Sequence, residues 1–169
     1  MKKRSALPVQ TWTYVLPDTP VGPLRLFFTT RGLAALYFGE VAGAPAPGGP
    51  LPASLAPLKN TAVKALTGYF AGGPTAFPSL ALDLQGTPFQ LRVWRELRRI
   101  PWGATVSYQA LAARLGNPKS ARAVGQAVGA NPLPVIIPCH RVIARNGSLG
   151  GYSSGLERKR WLLRHEGAL

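Results

Sequence analysis

The 169-residue chain is predicted to be a mixed helix-and-strand protein, with strands gathered in residues 1–86 and helices in residues 87–169. Three observations carry that expectation. Short alternating apolar runs bounded by turn residues recur in the first half. Capped segments with apolar residues at helical spacing fill the second. With 46% hydrophobic residues and near-zero mean hydropathy, the chain can bury a core as one domain or as a small domain with a compact partner, so neither disorder nor membrane spanning is expected.

Trp12 to Leu16, Leu24 to Thr30 and Leu33 to Phe38 are expected as a meander of strands, with Arg31-Gly32 turning between the last two. Val41 to Leu58 holds five prolines and fits neither period, so it is expected as a surface loop. Leu58 to Phe70 is expected as a helix and Leu80 to Leu84 as a further strand. The second half begins on Thr87-Pro88, an N-cap before a first-turn proline. Phe89, Val93, Trp94 and Leu97 then recur at helical spacing until Pro101. Ser107 is placed to cap a helix over Tyr108 to Leu115, Gly116 to Lys119 is a tight turn, and Ser120 is placed to cap Ala121 to Ala130. Two short helices about such a turn make a helix-turn-helix.

Ala121, Ala123, Gly125, Ala127 and Gly129 leave that second helix with little bulk, and each glycine costs about 1 kcal/mol relative to alanine. Something must approach it closely. Packing against another helix is the plain explanation; Arg122 among the small residues favours a backbone pressed into a DNA groove. Ser154, Gly155, Leu156 and Glu157 form a capping-box pattern for a last helix running to about His165, with Leu156, Trp161, Leu162 and Leu163 as its apolar side. The preceding Gly147 to Gly155 is a flexible loop without the Gly-Lys-Ser/Thr ending of a phosphate-binding loop.

The one cysteine, Cys139, ends the apolar run Val135, Ile136, Ile137. A free cysteine beside a strand-like run is commonly core packing. Here Pro138 interrupts the run where the thiol occurs, and His140 and Arg141 add polar groups that can stabilise its anion. The pattern is that of a nucleophile. A single cysteine also forbids an internal disulfide.

Charge is the second strong signal. There are 20 Lys and Arg against 6 Asp and Glu, a net +14 that favours a polyanionic partner, nucleic acid first. From Thr87 onward 13 basic residues face 3 acidic ones, so the excess travels with the thiol. Arg92, Arg95, Arg98 and Arg99 fit the solvated side of one helix. The opening Met-Lys-Lys-Arg looks like the start of a signal peptide, yet Pro8, Gln10, Pro17, Asp18 and Pro20 leave no apolar run long enough to insert. A cytoplasmic protein without a membrane partner is expected.

Pro138-Cys139-His140-Arg141-Val142, preceded by Asn131-Pro132 and followed by Gly150, Tyr152, Ser153 and His165-Glu166-Gly167, resembles the O6-alkylguanine-DNA alkyltransferases, also called methylated-DNA–protein-cysteine methyltransferases. The resemblance is dense from Thr87 to the C-terminus. It implies an α+β protein, with a ribonuclease-H-like N-terminal domain (1–86) and a winged-helix-like helix-turn-helix C-terminal domain (87–169). It also implies single-use alkyl transfer from duplex DNA to Cys139 by a monomer without a cofactor.

By the same resemblance, Glu166 orients His140, which takes the thiol proton through a bridging water or after a turn of the backbone. Asn131 braces the turn leading to an active-site strand. Tyr108 offers its phenol to the departing guanine, Ser153 bonds the alkylated oxygen, and Val142 with Cys139 reads the exocyclic amine through backbone carbonyls. Tyr152, Pro134 and Gly150 belong to the substrate pocket. Arg122 fills the emptied base stack, with Ser120, Ala121, Ala123 and Gly125 on the same helix against the minor groove.

Two departures limit the likeness. Some relatives hold zinc in the N-terminal domain, but Cys139, His140 and His165 are this chain's entire set of Cys and His residues, so no metal is expected. Others carry a sensor domain ahead of this unit, for which the chain is too short. Three rivals remain: a lesion-binding relative without the nucleophile, a helix-turn-helix regulator, and a Cys-His hydrolase. The first replaces the cysteine, the second leaves Pro-Cys-His-Arg idle, and the third gains nothing from +14.

Overall fold

In the computed structural model, which describes residues 11–39, 51–73, 77 and 80–169, the described residues divide into two compact units between Gln85 and Gly86. The opening Met-Lys-Lys-Arg and residues 41–50 of the expected loop lie outside the described residues.

In the first unit Trp12–Leu16 (β1), Leu24–Phe28 (β2) and Leu33–Phe38 (β3) form an antiparallel meander in that order, Tyr14 pairing with Leu26 and Leu26 with Leu36. Every residue of β3 is buried, whereas the edge strand β1 leaves Val15 exposed. The second strand stops short of Thr30 because Thr29 is taken into a turn. Its amide donates to Gly32 O at 2.9 Å and its hydroxyl to Asp83 at 2.8 Å. A methyl group on Gly32 would sit 2.6 Å from Ala81 O, so the turn requires glycine. The strand expected over Leu80 to Leu84 reduces to one parallel bridge, Leu33 to Leu82. Buried Asp83 is held there by Thr29, Arg31 and Gln85, so side-chain bonds replace a ladder. The helix Ala56–Phe70 (α1) begins two residues earlier than expected, because Pro57 fits a first turn, and Ala53–Leu55 before it is a short 3-10 turn, not loop.

In the second unit the Thr87 signal closes as a full capping box. Thr87 Oγ1 accepts from the Gln90 amide at 3.2 Å and Gln90 Oε1 accepts from the Thr87 amide at 2.8 Å, opening Pro88–Leu97 (α2). Val93, Trp94 and Leu97 point inward. A two-residue strand Val106–Ser107 (β4) precedes Tyr108–Arg114 (α3), capped by Ser107 Oγ, which accepts from the Ala110 amide at 3.1 Å. A 3-10 turn, Pro118–Ser120, leads into Ala121–Gly129 (α4). Ser120 does not cap α4. Its hydroxyl donates to Asn117 O at 2.7 Å, while the Asn117 side chain accepts from the Lys119 amide and closes the turn. Trp94 Nε1 donates to Ala127 O at 2.9 Å, tying α2 to the end of α4.

The run Val135 to Ile137 is no strand. Asn131 Nδ2 donates to Ile137 O at 2.8 Å, the Ile137 amide donates to Leu133 O at 2.8 Å, and Val135 adopts φ +75°, so the groups a ladder needs are used locally. Extended backbone returns only at Val142–Ile143 (β5), parallel to β4. The last helix, Leu156–His165 (α5), starts from Gly155 at φ +96° without a side-chain cap. The expected Ser154 to Glu157 box is not formed, and Glu157 pairs instead with Arg160. No helix of the described residues is long and apolar enough to cross a membrane.

Thr87→Ala removes the side-chain half of the α2 cap. It is expected to lower unfolding free energy by about 1 kcal/mol, read as a lower urea midpoint at unchanged slope.

Candidate active site

Cys139 begins a 3-10 turn, Cys139–Arg141, set off by Pro138, and is 5% exposed. Its amide donates to Ile137 O at 2.7 Å, the carbonyl that also accepts from Asn131. Asn131 Oδ1 accepts from the Leu133 amide at 3.0 Å, so one buried amide side chain pins both limbs of the approach to the thiol. Burial pushes the thiol pKa up; the polar side chains of Asn131 and Tyr152 and the charge of Lys159 oppose it without cancelling it. The resting sulfur is therefore a protonated thiol with the means of ionisation beside it.

Those means begin with the next residue and reach to the far end of the unit. His140, fully buried, hydrogen-bonds through Nε2 to Glu166 Oε1 at 2.8 Å; because a carboxylate only accepts, this fixes the Nε2–H tautomer. Its Nδ1 is buried and has no hydrogen-bond partner among the described residues. Burial lowers the His140 pKa, and Glu166 counters it only in part. Nδ1 is thus a free base. Arg141 does not stabilise the thiolate, as its position in the sequence suggested. Its guanidinium grips both oxygens of Glu166, Nε to Oε2 at 2.7 Å and Nη2 to Oε1 at 2.9 Å, and Nη1 donates to Ile100 O. Because this carboxylate is buried, removing Arg141 or His140 would leave its charge under-compensated and is costly.

The cation that acts on Cys139 is Lys159, which sequence reasoning missed. It is fully buried in α5, and its ammonium donates to Val142 O at 2.6 Å, to Leu149 O, and weakly to Gly151 O at 3.5 Å. The signal was available: Lys159, Leu162, Leu163 and Glu166 recur at helical spacing on one buried face.

Tyr108, at the start of α3, faces Gly125 of α4 and Gly150. Methyl groups on these glycines would lie 3.6 Å and 3.3 Å from its ring, and Gly150 has φ +65°. Its hydroxyl reaches toward Gly151 O at 3.5 Å, and its pKa is raised by burial and then by the nearby Cys139 charge. A thiol, a free imidazole base, a phenol and a buried cation thus converge in one unit, an arrangement suited to nucleophilic substitution with proton transfer on both sides of the reacting centre.

A family model described as 6-O-methylguanine DNA methyltransferase, DNA binding domain, matches residues 88–168. The chain is 45% identical over 151 residues to the methylated-DNA–protein-cysteine methyltransferase of Mycobacterium tuberculosis, covering 88% of each chain. It belongs to the methylated-DNA–protein-cysteine methyltransferase family. The Salmonella typhimurium methyltransferase is 56% identical over 104 residues, a stretch that spans 62% of this chain and 61% of that relative's length. The crystal structure of Mycobacterium tuberculosis OGT in complex with DNA matches with a TM-score of 0.77 at 44% identity, covering 92% of each chain. The mixed helix-and-strand architecture agrees with this neighbour.

Among the residues singled out as a methyltransferase site, Cys139, His140, Glu166, Asn131, Tyr108 and Tyr152 are linked by the bonds and charges just described. Val142 is buried with its carbonyl on Lys159, and Pro134 is buried in the turn before the thiol. Ser153 is exposed on the loop ahead of α5. On α4, Arg122 and Ala123 are exposed and Ala121 half-buried, beside half-buried Ser120, whereas Gly125 is turned toward Tyr108.

Because the fold holds His140 neutral, the unfolded chain takes up a proton near its ordinary pKa of 6.5 before the native state does. The stability this contributes is complete above pH 6.5 and is lost as pH falls below it. The melting temperature is expected to decline below pH 6.5, before carboxylates titrate near ~4. His140→Gln should flatten that limb in melts taken across the same pH series.

Proposed function

We propose that this protein repairs DNA by transferring the alkyl group of O6-alkylguanine to its own Cys139, once per molecule. The observation that carries the reading is the buried Pro-Cys-His-Arg turn, whose histidine is locked by Glu166 with Nδ1 left to act as base. The Cys139 proton passes to His140 Nδ1 through one water. The sulfur then attacks the alkyl carbon as the carbon–oxygen bond breaks, and the electron pair left on guanine is quenched by a proton from Tyr108. The product is a thioether, which no group in this site can hydrolyse.

Around that step, the carbonyls of Cys139 and Val142 read the exocyclic amine, Ser153 bonds the O6 oxygen, and Tyr152, Pro134 and Gly150 wall the base. Val142 O retains one lone pair for this role beside the one that takes Lys159. Helix α4 lies in the minor groove with Ser120, Ala121 and Ala123 against the backbone, Gly125 letting it close on Tyr108, and exposed Arg122 entering the stack. The net charge of +14 supports a duplex DNA partner, as does the DNA-bound Mycobacterium tuberculosis neighbour. In finer detail, the first unit is assigned as ribonuclease-H-like and the second as winged-helix-like, in a cytoplasmic monomer without metal or cofactor.

Two experiments test the assignment. Incubation with duplex containing O6-methylguanine should add one methyl group per protein, on Cys139, by intact mass and peptide mapping. Cys139→Ser should lose transfer and keep duplex affinity; several methyl groups moved per molecule would refute single use.

Arg122→Ala should slow repair of duplex by tenfold or more while hardly changing reaction with a free O6-alkylguanine base, which needs no flipping. His140→Ala should slow both. Equal slowing of both substrates by Arg122→Ala would remove this residue from the stack.

A further inference from the structure

Two buried cations lie in the second unit, and they differ in one respect. Arg141 is neutralised by Glu166, whose two oxygens it holds. Lys159, with no exposed surface, gives its ammonium protons to the neutral carbonyls of Val142, Leu149 and Gly151. Burying an ammonium group with only dipoles for partners is costly, and the cost appears in its pKa, lowered by burial to about 8. Such a cation gains most from any anion formed within electrostatic reach. Cys139 is that group: its charge raises the Lys159 pKa, and the Lys159 charge lowers that of the thiol.

The groups facing Lys159 are few. From the active-site turn they are Cys139 and His140; from the loop before α5, Tyr152, whose ring centre is 6.0 Å from Nζ. Glu166 and Arg141 act on His140 and already compensate one another.

We propose that Lys159 is the counter-ion of the Cys139 thiolate, held in place by the carbonyl oxygens of Val142, Leu149 and Gly151, so that one positioning residue both sets the wall of the base pocket and favours ionisation of the nucleophile. When the Cys139 proton moves to His140, two charges appear at once, and each meets a fixed opposite one: imidazolium against Glu166, thiolate against Lys159. Alkylation then turns the thiolate into a neutral thioether and leaves Lys159 without its anion. Its part in catalysis rests on the transfer chemistry proposed above, but its effect on the thiol does not.

Three substitutions separate charge from scaffolding. Lys159→Met keeps the aliphatic stem and removes donor and charge, Lys159→Gln keeps a neutral donor, and Lys159→Arg keeps the charge. Cys139 is the chain's one thiol, so thiolate absorbance near 240 nm against pH, corrected with Cys139→Ser, reports it alone. Lys159→Met and Lys159→Gln are expected to raise the thiol pKa by about one unit and to slow single-turnover transfer about tenfold at neutral pH, while affinity for undamaged duplex stays unchanged. Lys159→Arg should restore most of both. A folded neutral variant with an unchanged thiol pKa overturns the proposal, as does failure of both neutral variants to fold, which would make Lys159 purely structural. An altered thiol pKa in a protein that transfers no alkyl group would retain the ion pair and refute the repair function alone.

Discussion

The second unit depends on the burial of Glu166. This carboxylate lies where α5 ends, yet it holds two consecutive residues of the turn that presents the thiol, His140 through Nε2 and Arg141 through a two-pronged bond. Such an anion is tolerable only when its lone pairs are filled. The geometry that satisfies it also fixes the histidine tautomer, the ring orientation and the path of the 3-10 turn. Gly103 is bound by the same constraint, since it packs against the Glu166 backbone at φ +73°, where a methyl group would lie 3.0 Å from the carbonyl oxygen.

Given that frame, the site is a set of charges waiting for one proton to move. At rest, burial keeps sulfur protonated and imidazole neutral. Transfer of one proton between them creates an ion pair in a medium of low polarisability, which is unfavourable unless fixed charges already stand on both sides. Glu166 and Lys159 stand there. The buried Lys159, bonded at rest only to neutral carbonyls, thus meets its anion when that proton moves.

The approach to the thiol shows how local bonds displace a strand. Val135, Ile136 and Ile137 are β-branched and apolar, the composition of a buried strand. Asn131 intercepts the Ile137 carbonyl, Leu133 takes the Ile137 amide, and Val135 is held at a φ that valine rarely adopts. The ladder has nothing left to bond, so extended structure is delayed to Val142 and Ile143, beyond the nucleophile.

Much of this protein was legible in the chain because it depends on short-range chemistry. Three strands with their period, the Thr87 cap, Ser107 before α3, and the Pro-Cys-His-Arg motif beside Asn131 and Glu166 are all patterns within a few residues, or side chains whose type declares their chemistry. The Ser154 to Glu157 box showed the limit of such patterns, since Gly155 at φ +96° turned the chain elsewhere. Only the tertiary structure decided which charges meet. Arg141 stands two residues from Cys139 and spends its charge on Glu166, 25 residues away; Lys159, twenty residues from the thiol, became its cation. Adjacency in sequence sets where a backbone goes. What a buried charge pairs with is set by the whole packing around it, because in a low-dielectric interior each ion must find its partner wherever the fold brings one.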